Sequence, residues 1–263
     1  IEFDDAVDAH MNAFLRNIHV VNSADTPREI RLFTHQAFAI GDSRSNTDTA
    51  QYLPDSNAIM HYRGRRVFVV SGMVDDMPFD QHAVGIFGIE GKEGTWRDAE
   101  DGELCMSNVE HGRVDSALRF KLQLEPHGSG RVHYWIAAGT SVRDALQVNK
   151  TIQENGVDHY MHSTLDWWHK WLDPAHQVTD RMEVKYRDDF LHSLMIIKSQ
   201  IDKRGAVMAS TDSGMLNYWR DAYAYCWPRD GAYVLWPLIS SATQRSPCGS
   251  SSSVDVFSTP RGI

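Results

Sequence analysis

The sequence predicts a multidomain β-plus-α protein in which an antiparallel β-sandwich precedes a group of helices. Two patterns along the chain support this fold class. From about residue 12 to 140, apolar and polar residues alternate with a period of two, which is typical of half-buried strands. From residue 141 onwards, the apolar residues recur with a period near 3.6, which is typical of amphipathic helices. Because the connections between the predicted strands are polar and contain glycine, an antiparallel sandwich is favoured over alternating β-α units.

Two β-hairpins are predicted within the sandwich. The first spans residues 59–70, where two apolar arms flank the turn Arg63-Gly64-Arg65-Arg66. The second pairs the strictly alternating segment 118–124 with the segment 132–136, across a glycine-containing turn at 127–130.

Three helices are predicted next. Ser141, with Asp144 three residues later, predicts a capping box at the start of the first helix, and Gly156 interrupts the helical pattern. The second helix is expected to stop before Pro174, because proline cannot donate the next backbone hydrogen bond. The third is predicted from about residue 181 to 203, with one apolar stripe that consists of Phe190, Leu194, Ile197 and Ile201.

Composition and charge restrict the possible partners of the chain. Its 263 residues are 42% hydrophobic and 23% charged, which is typical of a globular protein. The net charge is -9 and no basic run is present, so nucleic acid is not expected as a partner. No apolar run approaches the ~20 residues of a membrane span. The three cysteines lack disulfide-like spacing and the acidic first residues do not resemble a secretory signal, so a cytoplasmic location is favoured over a secreted one.

Two groups of side chains have metal-ligand chemistry but unsuitable spacing. His159 and His162 share one helix face, whereas His169 lies about two turns away, too far to bind the same zinc ion. The acidic turn at 98–101, before Gly102, lacks the distal glutamate of a calcium-binding EF-hand. We therefore expect no metal and no other cofactor.

The segment 218–230 combines aromatic rings with two Arg-Asp pairs, which is the composition of a sugar site. Aromatic rings stack on the C–H faces of sugars, while Arg donors and Asp acceptors hold hydroxyl groups in a directional way. The same composition also occurs at a packed helix end with surface ion pairs. Composition alone leaves both interpretations open.

The order of these residues is more specific. Residues 223–230, Tyr-Ala-Tyr-Cys-Trp-Pro-Arg-Asp, resemble the first sugar-binding segment of the glucoamylases of glycoside hydrolase family 15, on the loop that enters the second helix of their (α/α)6 barrel. Four further segments are similar to the family's first barrel helix (190–194), the exit of that helix (203–206), and the amino-terminal sandwich of bacterial and archaeal members (61–66 and 94–102).

This resemblance implies four regions. Residues 1–140 would be an amino-terminal β-sandwich, a supersandwich without its first strands. Residues 141–178 would be a helical linker, and residues 179–239 would be the start of the catalytic (α/α)6 barrel. The serine-rich residues 240–263 match nothing expected at that point of the family, and they are predicted to be an atypical tail.

The resemblance also implies a function, that of an inverting exo-acting α-glucosidase which releases glucose from the non-reducing ends of α-glucans. Arg229 and Asp230 would hydrogen-bond hydroxyl groups of the terminal glucose. Trp227 would form part of the subsite wall, and Tyr223 would lie near the scissile bond. In this family the general acid and base are glutamates that follow later barrel helices, so we expect no catalytic residue in this chain and no glucosidase activity from it alone.

Two other functions remain open. One is a disaccharide phosphorylase of similar architecture, which would need a phosphate-binding loop later in the barrel. The other is a non-catalytic carbohydrate-binding or interaction module, for which this chain would be the whole functional unit. The sequence determines neither the glucan linkage (α-1,4, α-1,6 or trehalose) nor the oligomeric state.

Overall fold

The structure of the chain is a computed structural model that divides into two compact units, Ile1–Asp166 and Trp167–Ile263. It describes residues 1–40, 47–202, 205–209 and 226–242, with side chains up to residue 239 in the last of these ranges. The first unit is mainly an antiparallel β-sandwich, and the described elements of the second unit are mainly helices. The predicted sandwich is thus confirmed.

The strands of the first unit are β1 (Glu2–Val7), β2 (Ala13–Val21), β3 (Arg28–Gln36), β4 (Asp48–Leu53), β5 (Ala58–Arg63), β6 (Arg66–Val74), β7 (Met77–Pro78), β8 (Gln81–Ile86), β9 (Val109–Gly112), β10 (Val114–Leu124) and β11 (Ser129–Gly139). The larger sheet has the order β1-β2-β11-β6-β5-β4-β9, with β7 paired to β6, and the smaller sheet has the order β3-β10-β8. The inner faces of the two sheets share one apolar core, because alternate residues of each strand point inwards.

The first predicted hairpin is confirmed. Strands β5 and β6 pair antiparallel with Arg63 opposite Arg66, so that Gly64 and Arg65 form a two-residue turn. Gly64 has a φ of 55°, a left-handed conformation that glycine adopts without strain.

The second predicted hairpin is wrong, because β10 and β11 belong to different sheets. Both strands point their apolar residues into the core, so alternation is satisfied equally well when the chain crosses from one sheet to the other. The buried side chain of Asn22 holds the crossing segment, since its amide donates to the Glu125 carbonyl at 3.0 Å. The backbone N–H of Asn22 also donates to the Gly128 carbonyl at 2.9 Å.

The helices are α1 (Val142–Asn155), α2 (Val157–Thr179), α3 (Arg187–Ser199) and α4 (Pro228–Ala242). The predicted cap is present, because the Ser141 hydroxyl accepts from the Asp144 backbone N–H at 3.1 Å. Gly156, with a φ of 81°, ends α1 as predicted. None of the helices in the described part of the chain has the length and apolar character that crossing a bilayer requires.

Two predicted helix boundaries are wrong. Helix α2 continues through Pro174 to Thr179, although an internal proline costs a helix about 3 kcal/mol. Leu172 and Ala175 on either side of this proline are buried in the core of the second unit, which offsets the lost hydrogen bond. The third helix begins at Arg187 rather than near 181, because a short 3-10 turn precedes it. Residues 240–242 of the predicted tail are the last residues of α4, and residues 243–263 lie outside the described residues.

Gly139 joins the sandwich to α1 at a close backbone contact. A Cβ atom at this position would lie 2.6 Å from the Ala145 nitrogen and 3.0 Å from the Ser141 oxygen. These atoms belong to the first turn of α1 and its cap, so the contact cannot be relieved by moving a side chain. Only glycine fits where β11 turns into α1.

We predict that Gly139→Ala lowers the free energy of unfolding by roughly 2–3 kcal/mol, because overpacking here must shift backbone. Chemical denaturation of the purified chain measures the effect. The matched control is Gly64→Ala, where no atom lies within 4 Å of the added Cβ and only the positive φ opposes it, at roughly 1 kcal/mol. Equal losses for the two variants would contradict this assignment.

The sandwich interior contains a buried histidine, His61 on β5. Its Nε2 donates to the Ser116 hydroxyl at 2.8 Å, and that hydroxyl donates to the Gln36 side-chain carbonyl at 3.0 Å. The His61 and Phe38 rings form a T-shaped contact with a centroid distance of 5.0 Å. Burial lowers the pKa of His61 from 6.5 to about 4, and the fold therefore holds the neutral imidazole.

We predict a loss of stability in acid that depends on His61. Because its folded pKa lies below its unfolded pKa, the stabilisation is complete above pH 6.5 and is lost as the pH falls towards 4, by roughly 3 kcal/mol in total. Urea unfolding at pH 7 and pH 4 measures this loss, and His61→Gln, which keeps an N–H donor, should remove that part of it. An identical acid dependence in the variant would rule out His61 as the cause.

Candidate functional site

The predicted sugar-binding residues lie at the start of α4. Trp227 directly precedes the helix and Pro228 is its first residue, a position where the missing N–H of proline has no cost. The Gly231 backbone N–H donates to the Trp227 carbonyl at 2.8 Å and closes the first turn. Arg229 and Asp230 follow within that turn, whereas Tyr223 lies outside the described residues.

Trp227 and Asp230 line the same groove, whose volume is about 370 Å³. Helix α3, the segment 207–209 and the first turns of α4 form its walls, all within the second unit. The remaining lining residues are Ile196, Ile197, Gln200, Val207, Met208, Ala209, Gly231 and Val234.

The chemistry of this groove is mostly apolar, with few polar groups. Gln200 and Asp230 contribute the polar side chains, and Trp227 contributes the one aromatic ring among the described lining residues. An apolar wall with a small number of directional polar groups is typical of small-ligand sites. The Trp227 residue is 46% exposed, so its ring is accessible from solvent at the groove.

Arg229 is not among the residues that line the groove. Its side chain is 82% exposed, and its Nε lies 3.4 Å from Asp230 Oδ1. An exposed ion pair of this kind contributes little to stability, so either partner can exchange it for another hydrogen bond at little cost. Of the predicted sugar-binding residues, three are described; the structure brings Trp227 and Asp230 together and leaves Arg229 at the surface beside them.

The groove walls include residues that sequence analysis did not assign to the site. Ile197 was predicted only as part of an apolar stripe, and Gln200, Val207 and Met208 had no predicted role. The available signal was the family resemblance of the segment 190–194, which indicated that α3 precedes the sugar-binding loop. Helical periodicity identifies a buried face but does not indicate which part of that face borders a groove.

Packing within the second unit positions the groove. Leu194 of α3 and Leu238 of α4 are buried in one cluster together with Leu172 and Ala175 of α2. This apolar contact fixes α4 beside α3, and the turn that contains Trp227 and Asp230 begins three turns before Leu238. The described residues contain no group of three or more His, Cys, Asp or Glu side chains arranged for a metal ion.

Comparisons with known proteins find two that are similar to this chain. No protein-family model matches the chain. A curated protein of Methanocaldococcus jannaschii, named an uncharacterized glycosyl hydrolase, is 21% identical over 236 residues, which are 88% of this chain and 36% of that protein. A bacterial glucoamylase solved in complex with acarbose has a TM-score of 0.58 at 13% identity, over 79% of this chain and 30% of that chain.

The chain is thus similar to a glycosyl hydrolase in sequence and shares the fold of part of a glucoamylase. It spans about a third of the length of each of these two proteins.

Proposed function

We propose that this chain is part of an inverting, exo-acting α-glucosidase of the glucoamylase type, and that the groove at the start of α4 belongs to its innermost sugar subsite. Three findings support the proposal: the residue order at 223–230, the similarity to a glycosyl hydrolase over 88% of the chain, and the fold shared with a glucoamylase. The linker at 141–178 and the barrel start at 179–239 are part of the same proposal.

The observation on which the site depends is that Trp227 and Asp230 line one groove. In the proposed complex the Trp227 ring packs against a C–H face of the terminal glucose, and the Asp230 carboxylate accepts hydrogen bonds from its hydroxyl groups. Arg229 would exchange its 3.4 Å contact with Asp230 for a sugar hydroxyl at the rim. Tyr223 is proposed to lie near the scissile bond.

These residues are proposed to bind substrate rather than to catalyse its hydrolysis. Inversion requires one carboxylic acid and one carboxylate, about 6.5–9.5 Å apart, with a water between them. Asp230 is the only carboxylate among the described residues that line the groove. Since this chain spans only about a third of the length of the two similar proteins, we propose that the general acid and base of the whole enzyme come from outside these 263 residues.

We predict that acarbose, the ligand of the similar glucoamylase, binds the purified chain at this groove. Isothermal titration should show that Trp227→Ala and Asp230→Asn each weaken binding by about tenfold, because each removes a direct contact. Tyr233→Ala is the control, since this α4 side chain is exposed and is not among the residues that line the groove.

Two results would overturn the proposed subsite. One is an acarbose affinity that the Trp227 and Asp230 variants leave unchanged. The other is a loss of the same size in the Tyr233 variant, which would indicate a general disturbance of α4.

We further predict that the 263-residue polypeptide releases no glucose from maltooligosaccharides, because the described groove lacks the second carboxyl group that inversion needs. A coupled glucose assay at high protein concentration measures this. Glucose release that persists through purification and disappears in Asp230→Asn would refute the prediction and would make Asp230 a catalytic residue.

A further inference from the structure

An exposed tryptophan lies in the first unit, on the segment 87–108 that connects β8 to β9. Trp96 is 40% exposed, although tryptophan usually buries most of its large apolar ring. Its indole N–H donates to the Glu93 carbonyl at 3.0 Å, so the polar end of the ring is satisfied within the protein. The remaining exposed surface of the ring is apolar, and this hydrogen bond fixes its orientation.

A salt-bridged arginine holds the ring from one side. The Arg97 guanidinium carbon lies 5.2 Å from the Trp96 ring centroid, within cation-π range. Arg97 also pairs with two carboxylates, Glu93 at 2.5 Å and Glu100 at 2.8 Å. The guanidinium is thereby oriented and its charge is balanced. Its N–H donors and the acceptor oxygens of the two carboxylates all lie close to the ring.

The turn beneath the ring is anchored to a fully buried carboxylate. Asp115 on β10 accepts from the Thr95 backbone N–H at 2.6 Å and from the Thr95 hydroxyl at 3.0 Å. Gly94 has a φ of 126°, and a Cβ there would lie 2.6 Å from Asp115 Oδ2 and 3.0 Å from the Trp96 ring. Since only glycine permits this approach, the backbone on both sides of Thr95 is fixed against the sheet.

Two further rings extend the surface beside Trp96. A Cβ at Gly94 would also lie 2.8 Å from the Phe87 ring, so the Phe87 and Trp96 rings both border this glycine. The Phe87 ring lies 5.8 Å from the His35 ring, and His35 Nε2 is 2.7 Å from Asp115 Oδ2. The Arg113 guanidinium lies 5.3 Å from the Phe87 centroid. We call this surface the Trp96 platform; it consists of Trp96, Arg97, Phe87, His35 and Arg113.

The charges around the Trp96 ring disfavour an anionic ligand at the stacking surface, since the other guanidinium of the platform, that of Arg113, lies against Phe87. Arg97 is neutralised by Glu93 and Glu100, and further acidic side chains follow in the 3-10 turn Asp98–Asp101. Among the described residues, Arg97 is the only arginine in contact with the Trp96 ring. A phosphate or sulfate that approached this guanidinium would be repelled by the carboxylates beside it. A neutral ligand with an apolar face and many hydroxyl groups fits better, because it can stack on the ring and hydrogen-bond to Arg97 and the carboxylates.

We propose that the Trp96 platform is a second, non-catalytic glucan-binding site, in which the exposed face of Trp96 stacks on a pyranose ring. The site lies within the first unit and is separate in sequence from the groove at α4. The choice of an α-glucan as ligand rests on the proposed function, whereas the preference for a neutral sugar rests on the platform itself. Its rigid anchoring matters for affinity, because a preorganised ring loses little entropy on binding.

The test uses maltoheptaose and the full 263-residue chain. To separate this site from the groove, binding is measured by isothermal titration in the wild type and in a Trp227→Ala/Asp230→Asn background. Adding Trp96→Ala to that background should weaken the remaining binding by about tenfold or more, because the stacking surface is lost. Trp96→Phe should weaken it less, since a ring is retained. The control is Tyr186→Ala, because Tyr186 is another exposed ring beside a cation, Lys185 at 4.7 Å, but it lies outside the platform.

The outcomes distinguish the two sites. Maltoheptaose binding that persists in the groove variant and is lost when Trp96→Ala is added supports the platform. This result holds whether or not the groove itself binds sugar. Binding that Trp96→Ala leaves unchanged overturns it, and so does the absence of maltoheptaose binding in every form of the chain. Self-association that Trp96→Ala abolishes, without any sugar binding, would instead assign Trp96 to a protein interface. Sedimentation of the wild type and the variant at several concentrations measures that outcome.

Discussion

The contact between Phe120 and Gly72 determines how closely the two sheets of the sandwich approach each other. Phe120 on β10 is fully buried, and a Cβ at Gly72 on β6 would lie 2.7 Å from its ring. The largest fully buried side chain of the small sheet thus occupies the space that a missing side chain leaves in the large one, as dense interior packing requires. The inner face of β10 is thus fixed by the packing of Phe120. Asp115 lies on the opposite face of the same strand, where it anchors the turn beneath Trp96.

The extent to which this fold could be predicted depends on how local its determinants are. The β5–β6 hairpin was predictable because Gly64 and its neighbours specify a two-residue turn. The crossing from β10 to β11 was not, since alternation assigns a residue to a face but does not identify the neighbouring strand. The prediction that α2 ends before Pro174 was wrong for a related reason. The rule that proline ends a helix is local, whereas the burial of Leu172 and Ala175, which overrides it, is a tertiary effect.

The candidate site was predictable to a similar degree. The family resemblance identified Trp227 and Asp230, which line one groove, and Arg229, which stays at its surface. The apolar wall contributed by Ile197 and its neighbours could not be deduced, because a helical stripe does not show where two helices leave a groove between them. The groove therefore depends on the cluster that contains Leu194 and Leu238 as much as on the residue order of the predicted sugar-binding segment.

The groove and the Trp96 platform present a tryptophan in different ways, and this difference predicts their roles. Trp227 precedes the first turn of α4, beside an ion pair that is exposed and long, so the polar groups there can rearrange around a ligand. Trp96 is fixed by its own indole hydrogen bond and, through Thr95, by a buried carboxylate. A subsite in an active site needs polar groups whose hydrogen bonds can change as the sugar reaches the transition state. A surface that only binds a glucan chain benefits instead from a ring that is already ordered before binding. The physical construction of each site thus matches the role proposed for it.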